Sequence, residues 1–88
     1  MPRISEFFGI MIYMYWFDTQ KHKAPHIHAR YGGREAIFDL AGNLMEGDVG
    51  KRAEKLIKEW CQERKKEIEM AWKQAIDGKE IPWVPPLQ

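Results

Sequence analysis

Apolar side chains run almost unbroken from Gly9 to Trp16, and the chain then turns polar from Phe17 to Pro25. A continuous apolar run of that length predicts a first strand that is central or covered on both faces. Pro25 biases Ala24 towards extended backbone, which suits the start of a second strand over His26 to Tyr31. Gly32-Gly33 predicts a two-residue hairpin turn, because both positions can take positive φ. A third strand follows over Glu35 to Leu40. Ala41-Gly42-Asn43 turns again, and Leu44 to Glu46 predicts a short edge strand.

Beyond that point the period changes. Ala53, Leu56, Ile57, Trp60, Ile68, Ala71, Trp72 and Ala75 recur at helical spacing. Asp48 is placed as an N-cap and Gly78 as a C-terminal stop. They bound one helix of about 27 residues and about 40 Å. Glu54–Lys58 and Glu69–Lys73 are spaced as favourable four-residue pairs. The prolines of Ile81-Pro82-Trp83-Val84-Pro85-Pro86-Leu87 cannot continue the helix. The expected architecture is α+β: a small antiparallel sheet of three to four strands packed against one long C-terminal helix. Residues 1–88 form a single domain, with strands over about 9–46, the helix over about 49–77 and a Pro-rich tail over 78–88.

A two-residue turn fixes the register of the central hairpin. Tyr31 faces Arg34, Arg30 faces Glu35, Ala29 faces Ala36, His28 faces Ile37, Ile27 faces Phe38, and His26 faces Asp39. Cross-strand partners share a sheet face. Ile27, Ala29, Ala36 and Phe38 form the face on which the helix should pack. His26, His28, Arg30, Glu35, Ile37 and Asp39 form the other. On the first strand, Ile10, Ile12, Met14 and Trp16 belong to the helix side. Tyr13 and Tyr15 fall beside the histidines, where they could stack on a base or donate a hydrogen bond.

Composition narrows the classes. The chain has 88 residues, 44% of them hydrophobic, four Trp among them, and a net charge of +1. Nothing global draws it to nucleic acid. Residues 51–76 carry eight Lys or Arg against five Glu, an excess that reads as a solvated helix face rather than a phosphate-binding patch. Cys61 is the single cysteine and cannot form an internal disulfide, which fits a reducing cytoplasm. It sits beside Trp60 and reads as structural. The apolar run from Phe7 to Phe17 is too short to span a bilayer, and no secretory signal or membrane association is expected.

Three chemistries suit the polar face. A small ribonuclease needs a proton-transfer group, a group to orient it and a cation for phosphate. His26 or His28 would move the proton, Glu35 or Asp39 would orient the imidazole, and Arg30 would hold the phosphate. Tyr13, Tyr15 and Arg30 are the expected RNA contacts. The same groups equally form plain cross-strand pairs, His26–Asp39 and Arg30–Glu35. The second chemistry is divalent-metal binding, zinc for example. His26 and His28 lie about 6–7 Å apart along one strand face. His22 is then a third ligand and Asp18 or Asp39 a fourth or outer partner. The third is a non-enzymatic interaction module that uses the edge strand or the tail. There Trp83 is the interface candidate, while Trp60 and Trp72 belong to the core.

The opening Pro2-Arg3-Ile4-Ser5-Glu6-Phe7-Phe8-Gly9-Ile10, Met14-Tyr15, His22-x-x-Pro25-His26-x-His28, Tyr31-Gly32 and the helix bearing Trp60 resemble a small bacterial family. It is the domain-of-unknown-function family 4160. The family typically carries an Asp-His pair before this proline; here Thr19-Gln20-Lys21 separates Asp18 from His22. The resemblance implies a bacterial, cytoplasmic, partner-binding protein. It also implies a two-gene arrangement beside a second small protein, similar to toxin–antitoxin modules. The leading expectation is therefore one member of such a pair, binding or cleaving RNA through the His/Arg/Tyr face. The alternative is a metal-binding or protein-binding module.

Overall fold

The structure, a computed structural model, describes residues 3–15 and 24–88. Five strands form an antiparallel meander in chain order: β1 (Arg3–Phe7), β2 (Ile10–Tyr13), β3 (His26–Tyr31), β4 (Arg34–Asp39) and β5 (Leu44–Gly47). Two helices follow, α1 (Lys51–Glu63) and α2 (Lys65–Ile76). The α+β class holds, but the sheet has five strands rather than three or four, and the single long helix is two.

The central hairpin follows from its turn. All six cross-strand pairs from His26↔Asp39 to Tyr31↔Arg34 form. Gly32 and Gly33 take φ of 57° and 80°, the positive-φ pair that matches the twist of the flanking strands. Ile27, Ala29, Ala36 and Phe38 are buried in the core cluster with Ile10, Ile12 and Met14. Ala53, Ile57, Trp60, Ile68, Ala71 and Ala75 cover them from the helices.

The extra strand has two local causes. Residues Arg3–Phe7 put Ile4 and Phe7 in the core although they lie three apart. A strict two-residue alternation would send them to opposite faces. A register shift between Arg3 and Ser5 absorbs the extra residue. The turn to β2 uses Phe8 at φ 50° and Gly9 at φ 80°. A phenylalanine at positive φ is not a hairpin signal, so the sequence conceals this turn.

The helix breaks at Arg64, whose φ of −110° and ψ of 27° leave the helical range. Arg64 occupies the apolar stripe between Trp60 and Ile68, where a straight helix would press a guanidinium onto the sheet. The bend turns it instead to the tail, where Nη2 donates to the Pro86 carbonyl at 3.3 Å. At the helix start, Asp48 is not the cap. Gly50 precedes the first helical residue, and Asp48 Oδ1 accepts from the Gly50 amide at 2.7 Å. At the end, Gly78 N–H donates to Ala75 O and Lys79 N–H to Gln74 O, closing α2 with a Schellman pair.

The tail is part of the core. Val84 N–H donates to the Ile4 carbonyl of β1 at 2.7 Å. The Trp60 indole N–H donates to the Pro85 carbonyl at 2.9 Å, and the Trp60 ring lies 5.4 Å from that of Phe7. Val84 and Leu87 are buried. Val84→Ala should therefore lower stability by about 2 kcal/mol, the transfer free energy of two methyl groups plus part of a cavity. Deleting residues 82–88 should cost more, because it also strips the Trp60 N–H of its acceptor. Urea unfolding of the two variants checks this. A truncated chain as stable as wild type would remove the tail from the core.

Candidate functional site

The outward face of the central strands gathers part of the expected constellation. Tyr13 pairs with His28 across β2 and β3. The Tyr15 and His28 rings lie 4.5 Å apart between centroids, and His26 meets His28 edge-on at 5.3 Å. Tyr13 stacks on Tyr15 at 6.4 Å, and His26 reaches the ring of Trp72 on α2 at 5.5 Å. Five rings thus run continuously from Tyr13 to Trp72. Each contact is within the range at which aromatic pairs attract.

This cluster is packed rather than open. His26 is 0% exposed, Tyr15 8% and Tyr13 9%, while His28 is half-buried. His26 Nδ1 lies 2.9 Å from the Ala24 carbonyl. A carbonyl only accepts, so Nδ1–H is the donor of this hydrogen bond. The chain bends at Ala24, the residue before Pro25, where its carbonyl meets the ring.

The charged candidates are not brought to the imidazoles. Arg30 pairs with Glu35 at 2.8 Å across the hairpin, with both side chains about half exposed. Such a pair contributes at most about 1 kcal/mol. Asp39 lies opposite His26 in the ladder, yet its carboxylate turns into the next loop. It accepts from the Ala41 amide at 2.9 Å, the Asn43 amide at 2.9 Å and the Asn43 side-chain amide at 3.1 Å. The plain cross-strand pairing therefore holds for Arg30–Glu35 and fails for His26–Asp39. Partial burial pushes the Asp39 carboxyl up, but the hydrogen bonds from Asn43, Ala41 and Gly42 outweigh it and hold the group below its ordinary value.

Of the expected metal ligands, His26 and His28 are adjacent, whereas His22 and Asp18 lie outside the described residues. Among the described residues, no three His, Cys, Asp or Glu side chains converge as a metal set. No described helix is long and apolar enough to cross a membrane.

Two concavities were not expected from sequence, although Trp83 and the basic residues of 51–76 that line them were weighed there. The first is a cleft of about 650 Å³ between the β4–β5 turn and the junction of the helices. Its walls include Pro25, Leu40, Asn43, Lys58, Gln62 and Lys65. Cys61 also lines it; burial and the nearby Asp39 charge push its thiol up to about 12, so it stays protonated. At the rim, α1 packs so closely on the turn that a Cβ on Gly42 would fall 2.7 Å from the Lys58 Cα. The second feature is a groove of about 420 Å³ between α2 and the tail, walled by Met70, Gln74, Pro82 and Trp83. The lysine spacing on α1 and the solitary Trp83 among prolines were the available signals.

A five-stranded meander backed by two helices, with an imidazole–tyrosine cluster at its centre, defines a small α+β domain. Residues 9–73 match the family described as Domain of unknown function (DUF4160), and the chain belongs to that family. No curated protein and no solved structure matches the chain.

The Asp39 geometry has a measurable consequence. Asp39→Ala should cost about 2 kcal/mol at pH 7, since it orphans two amides and a side-chain amide of the turn. Because the folded value lies below the ordinary 3.8, the carboxylate form stabilises the fold. That contribution is complete above the ordinary value and is lost as pH falls through the folded one. Asp39→Asn should therefore be less stable than wild type at pH 7, and the gap should narrow as pH falls below 3.8. Urea melts at pH 7 and at a series of values below 3.8 check it; a constant gap would refute the charge dependence.

Proposed function

We propose that this chain is a non-enzymatic protein-interaction module. On this reading it binds the small protein of a neighbouring gene, as one half of a toxin–antitoxin-like pair, through the groove between α2 and the tail. The observation that carries the proposal is the presentation of Trp83. Its backbone neighbours are tied down by the Val84–Ile4 and Trp60–Pro85 hydrogen bonds, yet its ring is 56% exposed. Met70, 54% exposed, forms the facing wall. An indole held outward on an anchored backbone loses little freedom on binding, and Trp is among the residues that dominate interface energies. Met adapts its shape to a partner surface.

RNA cleavage on the sheet face is the less supported alternative. A fully buried His26 cannot meet a substrate atom without opening the ring cluster. Tyr13 and Tyr15 offer little face for a base to stack on, and the Glu35 carboxylate stands 2.8 Å from Arg30.

The test is co-purification and titration calorimetry with the neighbouring gene product. Trp83→Ala should raise Kd at least tenfold, about 1.4 kcal/mol, while shifting the melting temperature by no more than about 2 °C. Met70→Ala should weaken binding less. A Trp83→Ala variant that binds as tightly as wild type would overturn this surface.

A further inference from the structure

We infer that the C-terminal tail is an exchangeable strap between two copies of this chain. In the exchanged dimer the tail of each copy seats on the Trp60 site of the other. The occupant is a second copy, which goes beyond the protein-binding reading.

The closed molecule displays both the site and the segment that fills it. Residues 79–88 run without turn or bend. Val84 N–H donates to the Ile4 carbonyl at 2.7 Å. The Trp60 indole N–H donates to the Pro85 carbonyl at 2.9 Å, and Arg64 Nη2 to the Pro86 carbonyl at 3.3 Å. Val84 and Leu87 are buried three positions apart. That spacing is one turn of polyproline II, the conformation that Pro85 and Pro86 favour. Ile4, Trp60 and Arg64 all precede the end of α2. The tail of a second copy carries the same groups, so it fills the site without any new contact.

The connection between α2 and the tail is lightly held. Residues 76–80 are all exposed. Among the described residues, no ion pair engages Asp77, Lys79 or Glu80. The hydrogen bonds of the connection are main-chain ones, from Asp77 to Lys73, Gly78 to Ala75 and Lys79 to Gln74. Beyond them the tail doubles back, so that Pro82 and Trp83 face Gln74 and Met70 of α2. The reversal uses Gly78 at φ 73°, in the left-handed region. Nothing lies within 4 Å of the position its Cβ would take. An alanine there meets no clash and only makes the left-handed conformation costly. Exchange parts the tail from its own α2 and releases residue 78 from that conformation.

Closed and exchanged forms make the same tail contacts. The balance is therefore set by the effective concentration of the tethered tail, on the order of 1 mM for a short linker. Wild type is then monomeric at micromolar concentration and exchanges as it approaches about 1 mM. In the dimer the groove that bears Trp83 is walled by α2 of one copy and the tail of the other.

The test is sedimentation velocity on full-length chain refolded from urea at about 10 μM to about 2 mM, a range that brackets the effective concentration. Wild type should form a dimer at the upper end. Gly78→Ala should lower the dimer dissociation constant at least tenfold, because two connections are relieved per dimer. Inserting Gly-Ser-Gly between Lys79 and Glu80 of that variant should restore the monomer, since a longer connection reverses without residue 78. Trp83→Ala in the Gly78→Ala background should leave the dimer intact. A dimer refolded from isotope-labelled and unlabelled chains should show a filtered NOE from the Trp60 indole N–H of one copy to Pro85 or Pro86 of the other. Melting temperatures establish that each variant is folded, and wild type decides if Gly78→Ala is not. The inference is overturned by wild type that stays monomeric at about 2 mM. It is equally overturned by a dimer that lacks the intermolecular NOE or that Trp83→Ala abolishes. Failure here leaves the Trp83 surface standing, since that surface is read by titration with the neighbouring gene product.

Discussion

The fold depends on where the Trp60 indole N–H finds its acceptor. Trp60 is the largest fully buried side chain, and a buried N–H without a partner costs about 1–3 kcal/mol. Neither the sheet nor α1 supplies that acceptor; the Pro85 carbonyl does. Proline suits the position because it has a carbonyl to offer and no N–H of its own to satisfy. One residue before it, Val84 spends its amide on the Ile4 carbonyl. One residue after it, Pro86 accepts from Arg64. Three consecutive tail residues therefore clamp β1, α1 and the bend between the helices. The bend itself keeps the Arg64 guanidinium off the apolar face of the sheet. Trp83 is left outside by the same clamp, since fixing Val84 inward turns its predecessor outward.

The central strands show how neighbouring residues on one face divide between structure and surface. By alternation His26, His28 and Arg30 are equivalent. By packing they are not: His26 abuts Trp72, His28 abuts Tyr15, and Arg30 stands at the hairpin end beside Glu35. Exposure rises along the strand from His26 to Arg30 as the ring cluster ends. The histidine motif thus anchors one end of the sheet. The hydrogen bond from His26 Nδ1 to the Ala24 carbonyl holds the buried ring in that packing.

Much of this was legible in the sequence where the determinant was local. The diglycine turn fixed the hairpin, and its register sorted every side chain of β3 and β4 to the correct face. Gly78 ended the helix where expected. The sequence reading failed where the determinant lay far along the chain. Arg64 is a good helix former, and only the tail and sheet together explain the bend. The burial of His26 depends on Trp72, which no period in β3 reveals. The β1–β2 turn failed for a third reason: Phe8 adopts a conformation that its side chain disfavours, so propensity argued against a strand that the core required. The Glu54–Lys58 pair failed because Asn43 competes for the lysine.

Net charge is a poor guide to a protein of this shape. The molecule measures 33 × 28 × 20 Å, and charges in physiological salt are screened over about 8 Å. Carboxylates on one face therefore barely register on another. A chain with a net charge of +1 still presents Lys51, Lys55 and Lys58 within about 10 Å of one helix. What a ligand experiences is the local set, which here comprises those lysines, Lys65, Asp39, Glu54 and Glu69. Ordinary helix chemistry would neutralise part of that set by pairing Lys58 with Glu54. The β4–β5 turn prevents it: Asp39 orders Asn43, Asn43 draws Lys58 to the cleft mouth, and the close approach at Gly42 brings helix and turn together. Asp39, expected as a partner of histidine, thus acts in the turn that follows its strand, on the placement of a lysine.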